Sequence, residues 1–269
     1  WNGAFRDANL ETKKVSYTDV LPSVNFSYDL DDQRKIRVNA ASVIARPDLQ
    51  LLGRGFTQDL TRDISCNCFR FNGGSAGNPD LDPFRADQFD LSYEWYFGDI
   101  GLASATFFYK DVESFIASRT VQETQPDQTP GGSSTAGVTR PFNGEGGTVQ
   151  GLELSFQTGF DNGFGFAANF TYSDSETDLE SLTRTNLPLP GVSETSYNLI
   201  GFYENDVIQA RLAYTWRDEF LAPTNTTIGV GGLDLPLASW YRDYGQWDAS
   251  FTYNFSDTLA LSAEVINIT

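Results

Sequence analysis

Residues 84–115, FRADQFDLSYEWYFGDIGLASATFFYKDVESF, decide the fold. In the first arm Phe89, Leu91, Tyr93, Trp95 and Phe97 fall on one side, and Asp90, Ser92, Glu94 and Tyr96 on the other. That is the period of two expected of a strand with one apolar and one polar face. The second arm repeats it, with Ala103, Ala105, Phe107 and Tyr109 opposite Ser104, Thr106, Phe108 and Lys110. Between them Gly98-Asp99-Ile100-Gly101 has the glycines of a tight hairpin turn. Aromatic residues gather at the turn end, as they do in the girdle of a membrane barrel.

The same pattern recurs on either side. Thr18 to Tyr28 and Lys35 to Arg46 form a hairpin about Asp31-Asp32-Gln33-Arg34. Thr148 to Thr158 and Phe164 to Ser173 form another about Phe160 to Gly163. Ser193 to Tyr203 and Ile208 to Arg217 join at Glu204-Asn205-Asp206, and Trp247 to Phe255 and Leu259 to Val265 join at Ser256-Asp257-Thr258. In Ser193 to Tyr203 the face is undecided, because Tyr197, Leu199 and Tyr203 compete with Ile200 and Phe202. The reading is ten strands of about ten residues, the length a tilted membrane-spanning strand needs.

Connections alternate strictly between short and long. The long ones read as irregular loops: Asp48 to Pro83, Ile116 to Gly147, the acidic Asp174 to Pro190, and Asp218 to about Gly245. A soluble sandwich has no reason to put every long loop at one end. The pattern predicts an all-β chain, a transmembrane antiparallel β-barrel fragment with short periplasmic turns and long extracellular loops. No run of about 18 apolar residues predicts a membrane helix. A composition 40% hydrophobic and 14% aromatic suits strands that show lipid one face only.

The charge and the missing residue types exclude other classes. With 36 acidic and 18 basic residues the net charge is −18, which excludes nucleic acid as a partner. The chain has no His, which removes Ser-His-Asp and Cys-His constellations and every His metal site. No phosphate-binding or dinucleotide fingerprint occurs, so no catalytic residue and no cofactor is assigned and the chain is read as no enzyme. Asp80 with Asp82, and Asp174, Glu176 and Asp178, lack the spacing and Gly of a calcium loop, so no metal site is assigned. Cys66 and Cys68 sit two apart in a long loop and read as an extracellular disulfide, with each other or with cysteines elsewhere. The opening Trp1 to Ser16 is polar and patternless, without a signal peptide.

Several stretches carry a family resemblance: Asp19-Val20-Leu21-Pro22-Ser23, Val43-Ile44-Ala45-Arg46-Pro47-Asp48-Leu49, Asn78-Pro79-Asp80-Leu81-Asp82-Pro83-Phe84-Arg85, Tyr93 to Phe97 with Phe108-Tyr109-Lys110-Asp111, Gly151 to Leu154, Tyr244 to Asp248, and Val265 to Thr269. In order and spacing the chain resembles the C-terminal part of a TonB-dependent outer-membrane receptor, of the subset found in Caulobacter- and Xanthomonas-like proteobacteria. The resemblance implies a 22-stranded barrel around an N-terminal plug. It makes residues 1–269 the C-terminal portion of that barrel, strands 12 to 21, with the plug, the first strands and the last strand outside this chain. It implies a Gram-negative outer-membrane receptor importing a scarce ligand with energy from TonB, ExbB and ExbD, in contact with lipid and lipopolysaccharide and with a surface lipoprotein as a further partner. Oligosaccharide is the first expectation for the small extracellular ligand. A ferric siderophore or other metal chelate is the alternative within the family, and a passive porin-like channel the alternative outside it. Sugars favour aromatic platforms ringed by polar groups, which makes Trp216, Arg217, Trp240, Tyr241 and Arg242 the ligand-binding candidates. Trp216, in the lipid-facing register, also fits an interfacial belt.

Overall fold

A computed structural model describes residues 13–53, 55–177, 186–222, 226–230 and 233–268. The opening stretch from Trp1, the centre of the acidic loop with Asp178, and Thr269 lie outside the described residues. The strands are β1 Ser23–Asp29, β2 Arg34–Ala45, β3 Phe56–Asp63, β4 Cys68–Ala76, β5 Phe84–Phe97, β6 Gly101–Pro126, β7 Ser133–Gly159, β8 Phe164–Thr177, β9 Thr195–Glu204 and β10 Ile208–Arg217. After them come β11 Phe220–Leu221, β12 Thr226–Val230, β13 Leu233–Leu237, β14 Trp240–Tyr241, β15 Tyr244–Ser256 and β16 Leu259–Ile268, and one helical turn, α1 Leu49–Leu52, precedes β3. The main sheet runs β1-β2-β5-β6-β7-β8-β9-β10-β15-β16, the ten expected strands in chain order. All these neighbours pair antiparallel.

Two adjacent rows across the sheet show why the chain folds this way. On one face Trp95, Ala103, Phe156, Ala168, Leu199, Tyr214 and Trp247 lie side by side on seven neighbouring strands. One residue along, on the other face, are Glu94, Ser104, Ser155, Asn169, Asn198, Thr215 and Gln246. The first face leaves Leu91, Phe107, Leu154, Phe170 and Phe251 uncovered, far more apolar surface than a protein in water tolerates. The second is knit by polar contacts such as Asn198 Nδ2 to Thr215 Oγ1 (2.7 Å), the Ser92 and Thr106 hydroxyls, and Arg37 with Glu94 (2.8 Å). Rings meet at both ends of the apolar band. Trp95–Phe97 (4.8 Å) and Phe164–Tyr203 (4.8 Å) lie by the short turns, and Tyr197–Trp216 (5.2 Å) and Tyr214–Trp247 (4.6 Å) lie opposite. The register also settles β9: Tyr197, Leu199 and Tyr203 share the apolar face, while Ile200 and Phe202 face the polar side.

The turn after β5 has Gly98 at φ +56°, a conformation that Gly adopts without strain. In β7, Gly151 lets the Phe108 ring lie flat on the sheet. A Cβ there would sit 2.6 Å from Phe108 Cζ and would also meet the Tyr172 carbonyl.

Four sequence expectations need correction. β1 begins at Ser23 rather than Thr18. The stretch 116–147 is no irregular loop, because β6 and β7 continue as one ribbon of 26 and 27 residues. The stretch 48–83 contains α1 and the β3–β4 hairpin, and 218–245 contains the short pairs β11–β14 and β12–β13. Backbone groups outside the bilayer still need partners, and ribbons supply them where no apolar face marks the sequence.

The β3–β4 hairpin docks on the long ribbon. β4 pairs in parallel with β7 at Gly74 and Val138. Arg140 holds Glu123 bidentately (2.6 and 3.1 Å) and donates to the Gly77 carbonyl (3.1 Å), and the Asn78 amide donates to the Pro141 carbonyl (3.1 Å). At the ribbon tip the Asp127 carboxylate accepts from the Phe71 N–H (3.0 Å), the Thr129 N–H (2.9 Å) and the Thr129 hydroxyl (2.6 Å). Burial pushes this carboxyl up, but the donors from Ser134, Thr129 and Phe71 outweigh it and hold it well below the usual carboxylate range. A depressed carboxylate stabilises fully above its unfolded pKa, near 4, and stops doing so as pH falls through the folded value. Pepsin nicking of 56–76 is therefore expected to stay slow down to about pH 4 and to rise below it. Asp127→Asn should make that segment susceptible already at pH 5 and flatten the pH dependence.

Candidate functional site

At the end of the sheet away from the short turns, the acidic loop turns back over the polar face. Thr177 offers both its N–H (3.0 Å) and its hydroxyl (2.7 Å) to the Leu187 carbonyl, and the Leu189 N–H reaches Ser175 Oγ (3.3 Å). Leu189 lands in an apolar cluster with Ala86, Val112, Phe115 and Ala117, flanked by Val43, Val149 and Val192. Val43, Ala86, Val112 and Val149 hold polar-side positions on β2, β5, β6 and β7, so the cluster sits on the inner wall. Residues 186–192, NLPLPGV, thus form a strap across the mouth, with Leu187 and Leu189 buried.

Arg217 fastens the strap. Its guanidinium donates to Ser193 Oγ (2.9 and 3.2 Å) and to the Gly191 carbonyl (3.3 Å), and stacks 3.9 Å over the Phe220 ring. Beneath the strap is a recess of about 470 Å³ lined by Asn169, Thr171, Ser173, Ser196, Asn198 and Thr215, with Arg217 at its edge. This wall offers many neutral hydrogen-bonding groups and one cation. A second recess, of about 220 Å³, shares Ser173 and Val192 with the first and is lined by Asp174, Glu194, Asp218, Glu219 and Trp240.

The five ligand candidates do not converge. Trp216 and Arg217 are neighbours in β10 and fall on opposite faces: Trp216 stacks on Tyr197 in the aromatic band, and Arg217 turns to the mouth. Tyr241 stacks on Phe220 (5.0 Å), extending the Arg217–Phe220 stack outward. Trp240 lines the acidic recess, and Arg242 is exposed. Ser193, Asn198 and Thr171 are mouth residues that the sequence reading missed. Their polar-side parity was visible, but the strap above them was not. Cys66 and Cys68 are joined to each other at the tip of the β3–β4 hairpin.

A family model described as TonB dependent receptor-like, beta-barrel, matches residues 2–268. The chain belongs to this family. As a TonB-dependent receptor barrel it lies in the outer membrane of a Gram-negative bacterium. The apolar face meets lipid, the short turns are periplasmic, and the strap, the mouth and the β6–β7 ribbon are extracellular. Among solved structures it is similar to the siderophore receptor PirA of Acinetobacter baumannii, with a TM-score of 0.65 and 23% identity over 92% of this chain and 36% of that one. It is similar also to the ferric enterobactin receptor PfeA of Pseudomonas aeruginosa, with a TM-score of 0.64 and 20% identity over 92% of this chain and 35% of that one. A third likeness is to the ferric-catecholate import receptor Fiu of E. coli K12, with a TM-score of 0.58 and 15% identity over 91% of this chain and 30% of that one. The chain thus spans about a third of the length of these receptors. No curated protein matches it.

Proposed function

We propose that this chain is the C-terminal part of the barrel wall of a receptor that imports a ferric siderophore, with TonB, ExbB and ExbD supplying the energy. The observation that carries the reading is the likeness over 92% of the chain to a receptor named for siderophores. It favours the metal chelate over the oligosaccharide that the family resemblance first implied. The rest of the polypeptide supplies the plug and the remaining strands. In support, among the described residues β1 and β16 pair on one side only, and hydrocarbon cannot satisfy an open strand edge. Ligand is caught under the strap, between the polar wall and the plug, and no covalent chemistry is asked of this segment.

The test is uptake of radioactive iron from a panel of siderophores by cells with and without the receptor gene, each with TonB intact or deleted. Receptor-dependent uptake should drop to background when TonB is lost. Uptake that persists without TonB would mean a passive channel, and receptor-dependent growth on an oligosaccharide with no iron phenotype would return the reading to sugar.

A further inference from the structure

We infer that the mouth selects an uncharged or cationic iron chelate, such as iron held by three hydroxamates, and rejects a trianionic one, such as iron held by three catecholates; this rests on the siderophore reading above. The recess beneath the strap recognises by neutral groups, since Asn169, Thr171, Ser196, Asn198 and Thr215 offer hydroxyls and amides but no charge. Its one cation, Arg217, commits Nε and Nη2 to Ser193 and Gly191 and its face to Phe220, which leaves Nη1 alone to meet an anion. Next door, in a recess that shares Ser173 and Val192 with the first, stand Glu194, Asp218 and Glu219, while Asp174 turns its carboxylate to Gln150 (3.3 Å) in the outward-facing register. Because the two recesses share lining residues, these carboxylates stand beside a bound ligand, and the Debye length of about 8 Å at physiological salt leaves their field only partly screened there. Like charges set against each other in an interface suppress the wrong partner. Iron(III) with three monoanionic hydroxamates carries no net charge, whereas with three dianionic catecholates it carries three negative ones. The rim therefore penalises the second and leaves the first alone. The ferric catecholate named for Fiu would thus not be the ligand here, although the folds agree.

The experiment titrates the complete receptor, purified in detergent, with a neutral ferric tris-hydroxamate and a trianionic ferric tris-catecholate, at low and at physiological salt. The hydroxamate is expected to bind at least ~10-fold tighter, with the gap widening at low salt as screening weakens. The double variant Asp218→Asn, Glu219→Gln should narrow the ratio of the two affinities by roughly 3-fold or more, a charge effect that loosened packing would not reproduce. Both side chains keep their shape, and Asp218 keeps an oxygen for the Glu219 N–H it now accepts at 2.8 Å. Equal or tighter binding of the catecholate overturns the charge selection and leaves the siderophore reading standing. Binding of neither chelate overturns both.

Discussion

Leu154→Arg is expected to destabilise the folded barrel by roughly 2–4 kcal/mol, while Ser155→Arg, one residue further on, costs only about 0.5 kcal/mol. Leu154 lies between Ala105 and Phe170 on the lipid face, with Leu152 and Phe156 above and below it on its own strand. A guanidinium there has no water within reach and must snorkel or thin the bilayer. Ser155 lies between Ser104 and Asn169 on the inner wall, where a long cationic side chain extends into the lumen. Urea unfolding of the complete receptor in phospholipid vesicles measures both. Equal costs would mean that the two faces do not differ as lipid and lumen, and a reversed order that they have been assigned the wrong way round.

Phe71→Ala should open the extracellular hairpin while sparing the barrel. Phe71 is 1% exposed and sits 6.0 Å from the Phe56 ring. Truncating a buried Phe costs about 3–5 kcal/mol. Local opening free energies appear directly in amide exchange, so protection across 56–76 should fall by at least ~100-fold. The urea midpoint of the membrane sheet should barely move, because β3 and β4 stand outside its main path. If the whole barrel weakened by the same amount, the hairpin would be part of its cooperative unit.

The contrast between those two sites explains what could be read in the sequence. Where one face of a strand meets lipid and the other water, as from Phe89 to Phe97, selection writes period two into the chain, and strands, turns and facing can be read off directly. Past the bilayer the β6–β7 ribbon is covered only in patches, by the β3–β4 hairpin and the strap, so no continuous apolar face marks its alternation. Its cross-strand hydroxyl pairs, Thr120–Thr139 (3.1 Å) and Thr124–Thr135 (2.7 Å), look like loop composition when read in one dimension. The strap was hidden for another reason. Leu187 and Leu189 are apolar residues amid polar ones, but the pocket that receives Leu189 is assembled from β5, β6 and the strap itself, far apart in sequence. Parity alone separates Trp216 from Arg217, so grouping them by proximity in the chain discarded information already present.

The meander order of the sheet bears on how the barrel is made. Most of its pairings join strands adjacent in the chain, so contact order is low and each hairpin can be laid against the one before it without a long loop being closed. The exceptions are β10 against β15, across β11 to β14, and β2 against β5, the longer gap, which must wait for everything from α1 to β4 to be threaded outward. That step should be the slow one in biogenesis. Shortening the β3–β4 insertion would speed insertion of the barrel even as it removed part of the outer surface.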